Sequence, residues 1–271
     1  MKKSWFAFIF LILVNFSSAF AGDFYGIIIA DTEAENIGDY VHLDYFRMSR
    51  EMAKIAENLD RPFKQVMFTG NEVDGNEIVS KVNQLDFQED DIVFFYFTGH
   101  GQRAAIHEND PWPLMLFSMN GGAALDFSEI TSKLLEKKPQ LLLAFADCCN
   151  LHLPVTPPLV QMAQAKGNSS QANDKELVKE NIRQLFEKNK GMIMVSSSEP
   201  GESAWSCLLG SYYTMYFINY FQMEIHEQAP SWEVIFEKTA RQLDNEQHPQ
   251  YLIIPSNEEA QMTLKTILSN E

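Results

Sequence analysis

Apolar runs of strand length recur along this chain, with helical patterns between them. Phe24–Ala30, Asp91–Phe97 and the six apolar residues Leu141–Ala146 each contain enough consecutive apolar residues for a buried strand. Pro62–Phe68 and Gly191–Ser198 are predicted strands as well. Strands that alternate with helices form a mainly parallel sheet that is covered by helices on both faces. We therefore predict an α/β fold, a three-layer αβα sandwich with a mostly parallel central sheet.

The intervening segments carry the periodicity of amphipathic helices. In Leu43–Leu59 the apolar residues fall on one helical stripe, and Leu177–Lys188 repeats this pattern. Asp126 and Glu129 have the spacing of a capping box at the start of another helix. Ser231 is a suitable N-cap for the last one. The remaining helices are predicted at Glu77–Leu85, Tyr212–Gln222 and Trp232–Leu243.

The N-terminal residues 1–21 have the three parts of a secretory signal. Two lysines follow Met1, the apolar run Trp5–Phe16 comes next, and Ala19–Ala21 supplies the small residues of a cleavage site. An uncleaved membrane anchor is the alternative, but the run is short for one. We expect cleavage after Ala21, no stable membrane insertion afterwards, and a periplasmic or secreted mature domain over residues 22–271.

The formal net charge of -16 bears on the choice of partner. Nucleic acid needs a basic surface, so a chain this acidic is not expected to bind it. The charge is compatible with a basic substrate, although many acidic proteins have no such ligand.

Two of the three cysteines stand side by side where a predicted strand ends, in the sequence Asp147-Cys148-Cys149-Asn150. In open α/β sheets, ligands bind beyond the carboxyl ends of the strands. An odd number of cysteines leaves at least one unpaired within the chain, and adjacent cysteines rarely bridge each other. A free thiol in an exported protein is a candidate for reactivity. The alternative is that these cysteines are small buried packing residues.

A histidine follows the end of another predicted strand, because DIVFFYFTGHGQ places His100 between Gly99 and Gly101. If the two strands are neighbours, His100 and Cys149 meet at one sheet edge and form the minimum set for thiol nucleophilic catalysis. Gly101 lacks a Cβ and can present its N–H to a developing oxyanion, together with the N–H of Cys149. A tight turn is the alternative explanation for the glycines.

FFYFTGHG followed by LLLAFADCCN resembles the caspase and metacaspase superfamily of cysteine peptidases. Caspases carry the catalytic histidine about fifty residues before the cysteine, and here the separation is 49 residues. Asp147-Cys148-Cys149 is similar to the Asp-Cys-Cys of metacaspases, which implies that Cys149 is the nucleophile and His100 its base. Three later segments, MIMVSSSEPGESAW, GSYYTMYFI and QHPQYLI, extend the resemblance over most of the chain from Phe24.

The resemblance implies a peptide or protein substrate that is cut after Arg or Lys. Metacaspases bind the basic side chain with acids, to which Asp147 and Asp31 correspond, and a carboxylate suits a guanidinium. Trp205 ends the segment that corresponds to the pocket-lining turn. A helix cap or turn is the alternative role for Asp31. Arg103 would favour an acidic substrate instead, but we interpret it as a solvated loop residue.

Other interpretations stay open because Asn150-Leu151-His152 departs from the His-Ser-Gly or Arg-Gly that usually follows the family's cysteine. The first alternative is a catalytically inactive binding or regulatory module with the same fold. The others are a legumain- or gingipain-like peptidase and a structural α/β protein. His152 is so close in sequence to Cys149 that it ranks below His100 as a base.

We expect no required cofactor and no protein-bound metal, since the remaining histidines lack a spacing such as H-E-x-x-H. Metacaspases often need calcium, so calcium is a candidate, with Glu89-Asp90-Asp91 as an acidic cluster that could hold it. Residues 156–174 are predicted to be an exposed loop, and Lys166 and Lys175 are candidate self-processing sites. Cys207 is predicted to be a packing residue, with a bridge to Cys148 as a further hypothesis.

Overall fold

A computed structural model describes residues 22–103, 110–117, 124–152, 175–243 and 247–256. The predicted signal at residues 1–21 and the predicted loop at 156–174 lie outside the described residues, so both stay predictions. In the part of the chain that the structure describes, none of the helices has the length and apolarity needed to span a bilayer.

Eleven strands and six helices occur in the described residues, together with a 3₁₀ turn at Gly70–Glu72. The strands are β1 (Phe24–Ala30), β2 (Phe63–Thr69), β3 (Ile92–Thr98), β4 (His100–Gln102), β5 (Leu114–Leu116), β6 (Ala124–Asp126), β7 (Leu141–Asp147), β8 (Gly191–Ser196), β9 (Ser206–Cys207), β10 (Gly210–Ser211) and β11 (Gln250–Pro255). The helices are α1 (Gly38–Asn58), α2 (Gly75–Gln84), α3 (Phe127–Glu136), α4 (Lys175–Phe186), α5 (Tyr212–Glu224) and α6 (Trp232–Leu243).

Six of these strands form the central sheet in the order β11-β8-β7-β3-β1-β2. Five of them are parallel, and β11 runs antiparallel to β8 at one edge. Every residue of β3 and β7 is buried, which explains their uninterrupted apolar sequences. The predicted mostly parallel sheet is therefore confirmed.

Helices cover both faces of the sheet and give it two separate cores. The core on one face joins β-strand residues to α1, α4, α5 and α6, and includes the edge-to-face contact of Phe145 with Phe217 at 4.8 Å between ring centroids. The core on the other face joins the sheet to α2 and α3, where Phe95 stacks on Phe127 at 5.9 Å. The three layers of the predicted sandwich are present.

The helix ends follow their capping residues. The Asp126 carboxylate accepts hydrogen bonds from the N–H groups of Ser128 and Glu129 at the start of α3, as predicted. The Ser231 hydroxyl accepts one from the Val234 N–H at 3.2 Å and caps α6. Helix α1 begins at Gly38, five residues before the predicted Leu43. The short strands β4–β6 and the β9–β10 hairpin were not predicted, because two or three residues carry no readable period.

Candidate active site

Strands β3 and β7 are neighbours in the sheet, with Thr98 paired to Asp147 in the parallel register. The chain leaves both strands at the same edge, so that His100 and Cys149, each two residues past that pair, emerge together. Both line one cleft at this edge. The two strands that lead to His100 and Cys149 are therefore neighbours, as their approach to one another requires. The cleft is also lined by Ile37, Val41, Asp44, Gly99, Asp147, Cys148, Ala204, Ser206 and Ser211.

Cys149 is half-buried, and its sulfur contacts the backbone of one residue in a distant loop. The Ala204 N–H donates a hydrogen bond to Cys149 Sγ at 3.3 Å, and the Ala204 carbonyl oxygen lies 3.7 Å from the same sulfur. Burial raises the pKa of the Cys149 thiol, and the Ala204 N–H opposes that rise. This environment disfavours the thiolate, so a nearby base is needed to make the sulfur a nucleophile.

His100 is held by the turn between β1 and α1. Its Nε2 atom lies 3.1 Å from the carbonyl oxygen of Glu35, which can only accept a hydrogen bond. In the neutral ring this contact assigns the proton to Nε2 and leaves the Nδ1 lone pair able to accept another proton. Among the described residues, no hydrogen bond joins His100 to Cys149 in this conformation.

Gly101 lies tightly against the cysteine pair. A β carbon at this position would overlap the carbonyl oxygen of Cys149 and the sulfur of Cys148, and would lie 2.7 Å from the Cys148 Cβ. Only glycine fits such an approach. The requirement for glycine thus has a packing reason, and the role of the Gly101 and Cys149 N–H groups as an oxyanion hole stays a prediction.

Asp147 is buried beneath the nucleophile. Its Oδ2 atom accepts hydrogen bonds from the N–H and the hydroxyl of Thr214, at 3.2 and 2.6 Å. Tyr96 lies 2.6 Å from that hydroxyl and extends the network into the core. Burial raises the pKa of Asp147, while the hydroxyl of Ser211 and the groups of Thr214 lower it. A carboxyl with a raised pKa in a cleft is a candidate functional group.

Asp44 of α1 is a second buried acid in the cleft, and the sequence analysis missed it. Its Oδ2 atom accepts a hydrogen bond from the Ser211 N–H at 2.8 Å, and its Oδ1 atom lies 3.4 Å from Arg47. Burial raises the pKa of Asp44 well above its ordinary value, the charge of Asp147 raises it further, and the Ser211 and Arg47 contacts oppose both. Helical spacing puts Asp44 on the same stripe as Val41 and Met48, which was the available signal.

The other two predicted substrate residues lie near the cleft without lining it. Asp31 follows β1, is fully buried, and donates its backbone N–H to the Thr98 carbonyl at 3.1 Å. Trp205 is partly buried against the core that includes α5, between Ala204 and Ser206, which do line the cleft. The pocket roles of Asp31 and Trp205 stay predictions.

Two polar residues near the nucleophile are buried, and for Arg103 this corrects the sequence interpretation. Arg103 is only 6% exposed, so its interpretation as a solvated loop residue is wrong. The chain turns inward after β4, and the Arg103 N–H donates to the Leu151 carbonyl at 2.7 Å. Asn150 is fully buried and donates its side-chain amide to the Pro111 carbonyl at 2.8 Å. The segment that departs from the family pattern is therefore closely packed.

All three cysteines are free thiols. Cys207 is buried, as predicted for a packing residue. Cys148 packs in the core with α2 and α3, whereas Cys207 packs in the core on the opposite face of the sheet. The hypothesis of a bridge between Cys148 and Cys207 is therefore contradicted, because the sheet lies between their side chains.

Possible cation ligands occur at two places in the described residues. Asp91, in the predicted acidic cluster, uses its carboxylate to accept the N–H groups of Asp23 and Gln88, both at 2.7 Å. It precedes β3 and so lies at the amino end of the strand, away from the cleft. The side chains of Glu199, Glu202 and His248 bring one ligand atom each to within 4.8 Å of one another, a grouping that sequence spacing did not reveal.

The chain is similar to a known protein family in sequence and to known structures in fold. The family model described as the caspase domain matches residues 40–265. The fold is similar to that of caspase-1 from Spodoptera frugiperda, with a TM-score of 0.53 and 13% identity over 86% of this chain and 89% of that chain. It is also similar to a structural-genomics target protein from Geobacter sulfurreducens, with a TM-score of 0.54 and 13% identity over 88% and 96%.

No curated protein sequence matches this chain. At 13% identity, the two structures establish the fold alone, and they confirm the predicted caspase-like αβα sandwich.

Proposed function

The chain belongs to the caspase domain family, and from this membership we propose that it is a cysteine endopeptidase of the metacaspase type that cuts after Arg or Lys. One observation carries the proposal: a single cleft holds His100, Cys149 and the buried acids Asp44 and Asp147. The first pair supplies a base and a nucleophile. The second pair supplies a receptor for a cationic side chain.

His100 acts as the base. The Glu35 carbonyl keeps the ring proton on Nε2, so Nδ1 accepts the proton of the Cys149 thiol as the sulfur attacks the substrate carbonyl. The resulting imidazolium then gives its proton to the leaving amine, and the C–N bond breaks. Water next attacks the thioester and gives a proton to His100. The C–S bond breaks, the carboxylic acid leaves, and the imidazolium returns that proton to the sulfur.

The backbone N–H groups of Gly101 and Cys149 are the proposed oxyanion donors. They stabilise the negative oxygen of the tetrahedral intermediate, and removing one such donor from an enzyme typically costs about 10²–10³ in kcat. The close approach of Gly101 to the Cys149 backbone supports this choice of donors.

Asp44 and Asp147 determine the preference for a basic residue. Each carboxyl is buried and its pKa is raised by that burial, so ionising both without a cation is unfavourable. A guanidinium or ammonium group in the cleft would pair with them and restore their charged form. An acidic substrate side chain would meet a third carboxylate instead. Asp31 and Trp205 are proposed as outer members of this pocket.

A catalytically inactive module of the same fold is the second candidate. It is favoured by the raised pKa of Cys149 and by the contact that the Ala204 backbone makes with its sulfur. In that case the cleft would bind a basic peptide segment without cutting it.

Export through the secretory pathway, to the periplasm or the medium, is part of the first proposal and rests on residues 1–21. The proposal includes a peptide or protein substrate, no nucleic acid, and no required cofactor, with calcium to be tested as an additive.

The decisive experiment uses the purified mature domain and fluorogenic peptides that end in Arg, Lys or Asp, with and without calcium. We expect cleavage after Arg and Lys that a Cys149→Ala variant lacks. Cleavage after Asp would retain the enzyme and reject the acidic pocket. No cleavage of any peptide, together with a slowly alkylated Cys149, would favour the inactive module.

A further inference from the structure

Residues 197–205, here called the cradle loop, bind the backbone on both sides of the nucleophile. The Ser197 hydroxyl accepts the Cys148 N–H at 3.1 Å, and the Ser198 hydroxyl donates to the Cys148 carbonyl at 2.9 Å. Further along the loop, the Glu202 carbonyl accepts the Asn150 N–H at 2.9 Å. The position of the strand tip therefore depends on this loop.

The cradle loop also contacts the nucleophilic atom itself. The Gly201 N–H donates to the Asn150 carbonyl at 2.8 Å, and three residues later the Ala204 N–H donates to Cys149 Sγ at 3.3 Å. A hydrogen bond to sulfur favours the thiolate over the thiol. Any displacement of the loop end that carries Ala204 would weaken this contact.

Gln247 ties the two ends of the cradle loop together. Its side-chain Nε2 donates to the Ser197 carbonyl at 2.5 Å, and its Oε1 accepts the Trp205 N–H at 3.0 Å. Gln247 is fully buried, so neither contact competes with water. It lies between α6 and β11, on neither of the strands that carry His100 and Cys149.

We propose that Gln247 is a positioning residue for Cys149, which fixes the cradle loop so that the Ala204 N–H stays bonded to the sulfur. Its importance for peptide cleavage rests on the function proposed above, but its effect on the thiol does not. Asn150, the residue after the nucleophile, binds the cradle loop through its backbone N–H and its carbonyl. The segment that departs from the family pattern therefore has a structural role. The neighbouring His248 adds a half-exposed contact, because its Nδ1 lies 2.6 Å from Glu202.

The test compares Gln247→Ala and Gln247→Glu with the unaltered mature protein. The rate of Cys149 alkylation by iodoacetamide is measured against pH, with mass spectrometry of the labelled peptide to identify the cysteine. The ionisable groups that share the cleft with the thiol are His100, Asp44, Asp147 and Cys148, and none is changed by these substitutions. A change in the alkylation profile therefore reports on the loop.

We expect Gln247→Ala to move the pH profile of alkylation upward and to slow alkylation at neutral pH by about tenfold, the loss of one hydrogen bond to a charged group. Gln247→Glu keeps the acceptor for Trp205 but donates to Ser197 only when protonated. Its rate relative to the unaltered protein should therefore recover toward one as the pH falls, whereas that of Gln247→Ala should not recover. If Gln247→Ala does not fold, the pH-dependent recovery of Gln247→Glu decides the question.

Gln140→Ala is the matched control. Gln140 also donates its side-chain amide to two backbone carbonyls, those of Phe186 and Glu187. It precedes β7, however, and so lies at the end of the strand away from the cleft. We expect a lower melting temperature and an unchanged alkylation profile. An unchanged profile in both Gln247 variants, or an equal shift in Gln140→Ala, would overturn the proposal. Alkylation needs no substrate, so failure of the peptidase assay leaves this result decisive.

Discussion

His100 Nε2 lies 3.1 Å from the carbonyl oxygen of Glu35, a residue in the turn that follows β1. The histidine is carried by β4, so two separate chain segments fix the direction of its ring. A carbonyl oxygen only accepts hydrogen bonds, and Nε2 therefore carries the proton of the neutral ring. This relationship leaves Nδ1 as the atom that can take a proton from Cys149.

The first prediction concerns this base. We expect His100→Ala to lower kcat by about 10²–10⁴ with little change in KM, because general-base catalysis contributes that range. Initial rates with an Arg-ending peptide provide the measurement. His152→Ala is the control, since His152 is exposed and follows Cys149 by only three residues. An equal loss of kcat in His152→Ala would contradict the assignment of the base to His100.

The second prediction concerns stability. We expect Asp44→Asn to raise the melting temperature at pH 7 by about 2–4 °C, equivalent to roughly 1 kcal/mol for a chain of this size. The substitution removes a buried carboxyl, while the amide oxygen can still accept the Ser211 N–H. The lost pair with Arg47 costs little, because that arginine is one-third exposed and 3.4 Å away. Cleavage after Arg and Lys should be lost.

The pH dependence of this effect has a definite sign. The pKa of Asp44 is raised in the folded protein, so the unfolded chain ionises first as the pH rises above 3.8. The free energy of unfolding then falls with rising pH until the folded carboxyl also ionises. The advantage of Asp44→Asn should therefore be small in strong acid and grow toward neutral pH. Asp39→Asn, an exposed acid in the first turn of α1, should instead be slightly destabilising.

The sequence predicted most of the framework because its information was local. Uninterrupted apolar runs identified β1, β3 and β7, and strand adjacency then brought His100 and Cys149 together. Asp44 was missed because its contact with Ser211 of β10 depends on how α1 packs in the folded protein. The bonds from Ala204 and Gln247 were missed for the same reason, since they join segments 40 or more residues apart. Arg103 was misjudged because polarity alone does not reveal burial.

The third prediction concerns Gly101. We expect Gly101→Ala to destabilise the protein strongly and to abolish activity, because the added carbon would overlap the Cys149 carbonyl and the Cys148 side chain. Backbone overlap is not relieved by a rotamer change. Thermal unfolding and peptide cleavage measure the two effects. Gly75→Ala in α2 is the control: its β carbon would meet Leu125 at 3.5 Å, an ordinary contact. A stable, active Gly101→Ala protein would contradict the packing reason.

The fourth prediction concerns self-processing. Lys175 is exposed at the start of α4 and follows the predicted loop at 156–174, which also contains Lys166 outside the described residues. We expect the mature protein to be cut after one of these lysines and Cys149→Ala to remain in one piece, with intact mass and N-terminal sequencing as the measurement. Lys179 is the internal control, because it lies inside α4 and pairs with Asp60 at 2.6 Å, where a protease needs local unfolding. Cuts that persist in Cys149→Ala would come from another protease. Cuts that Cys149→Ala abolishes but that follow acidic residues would reject the basic preference assigned to Asp44 and Asp147.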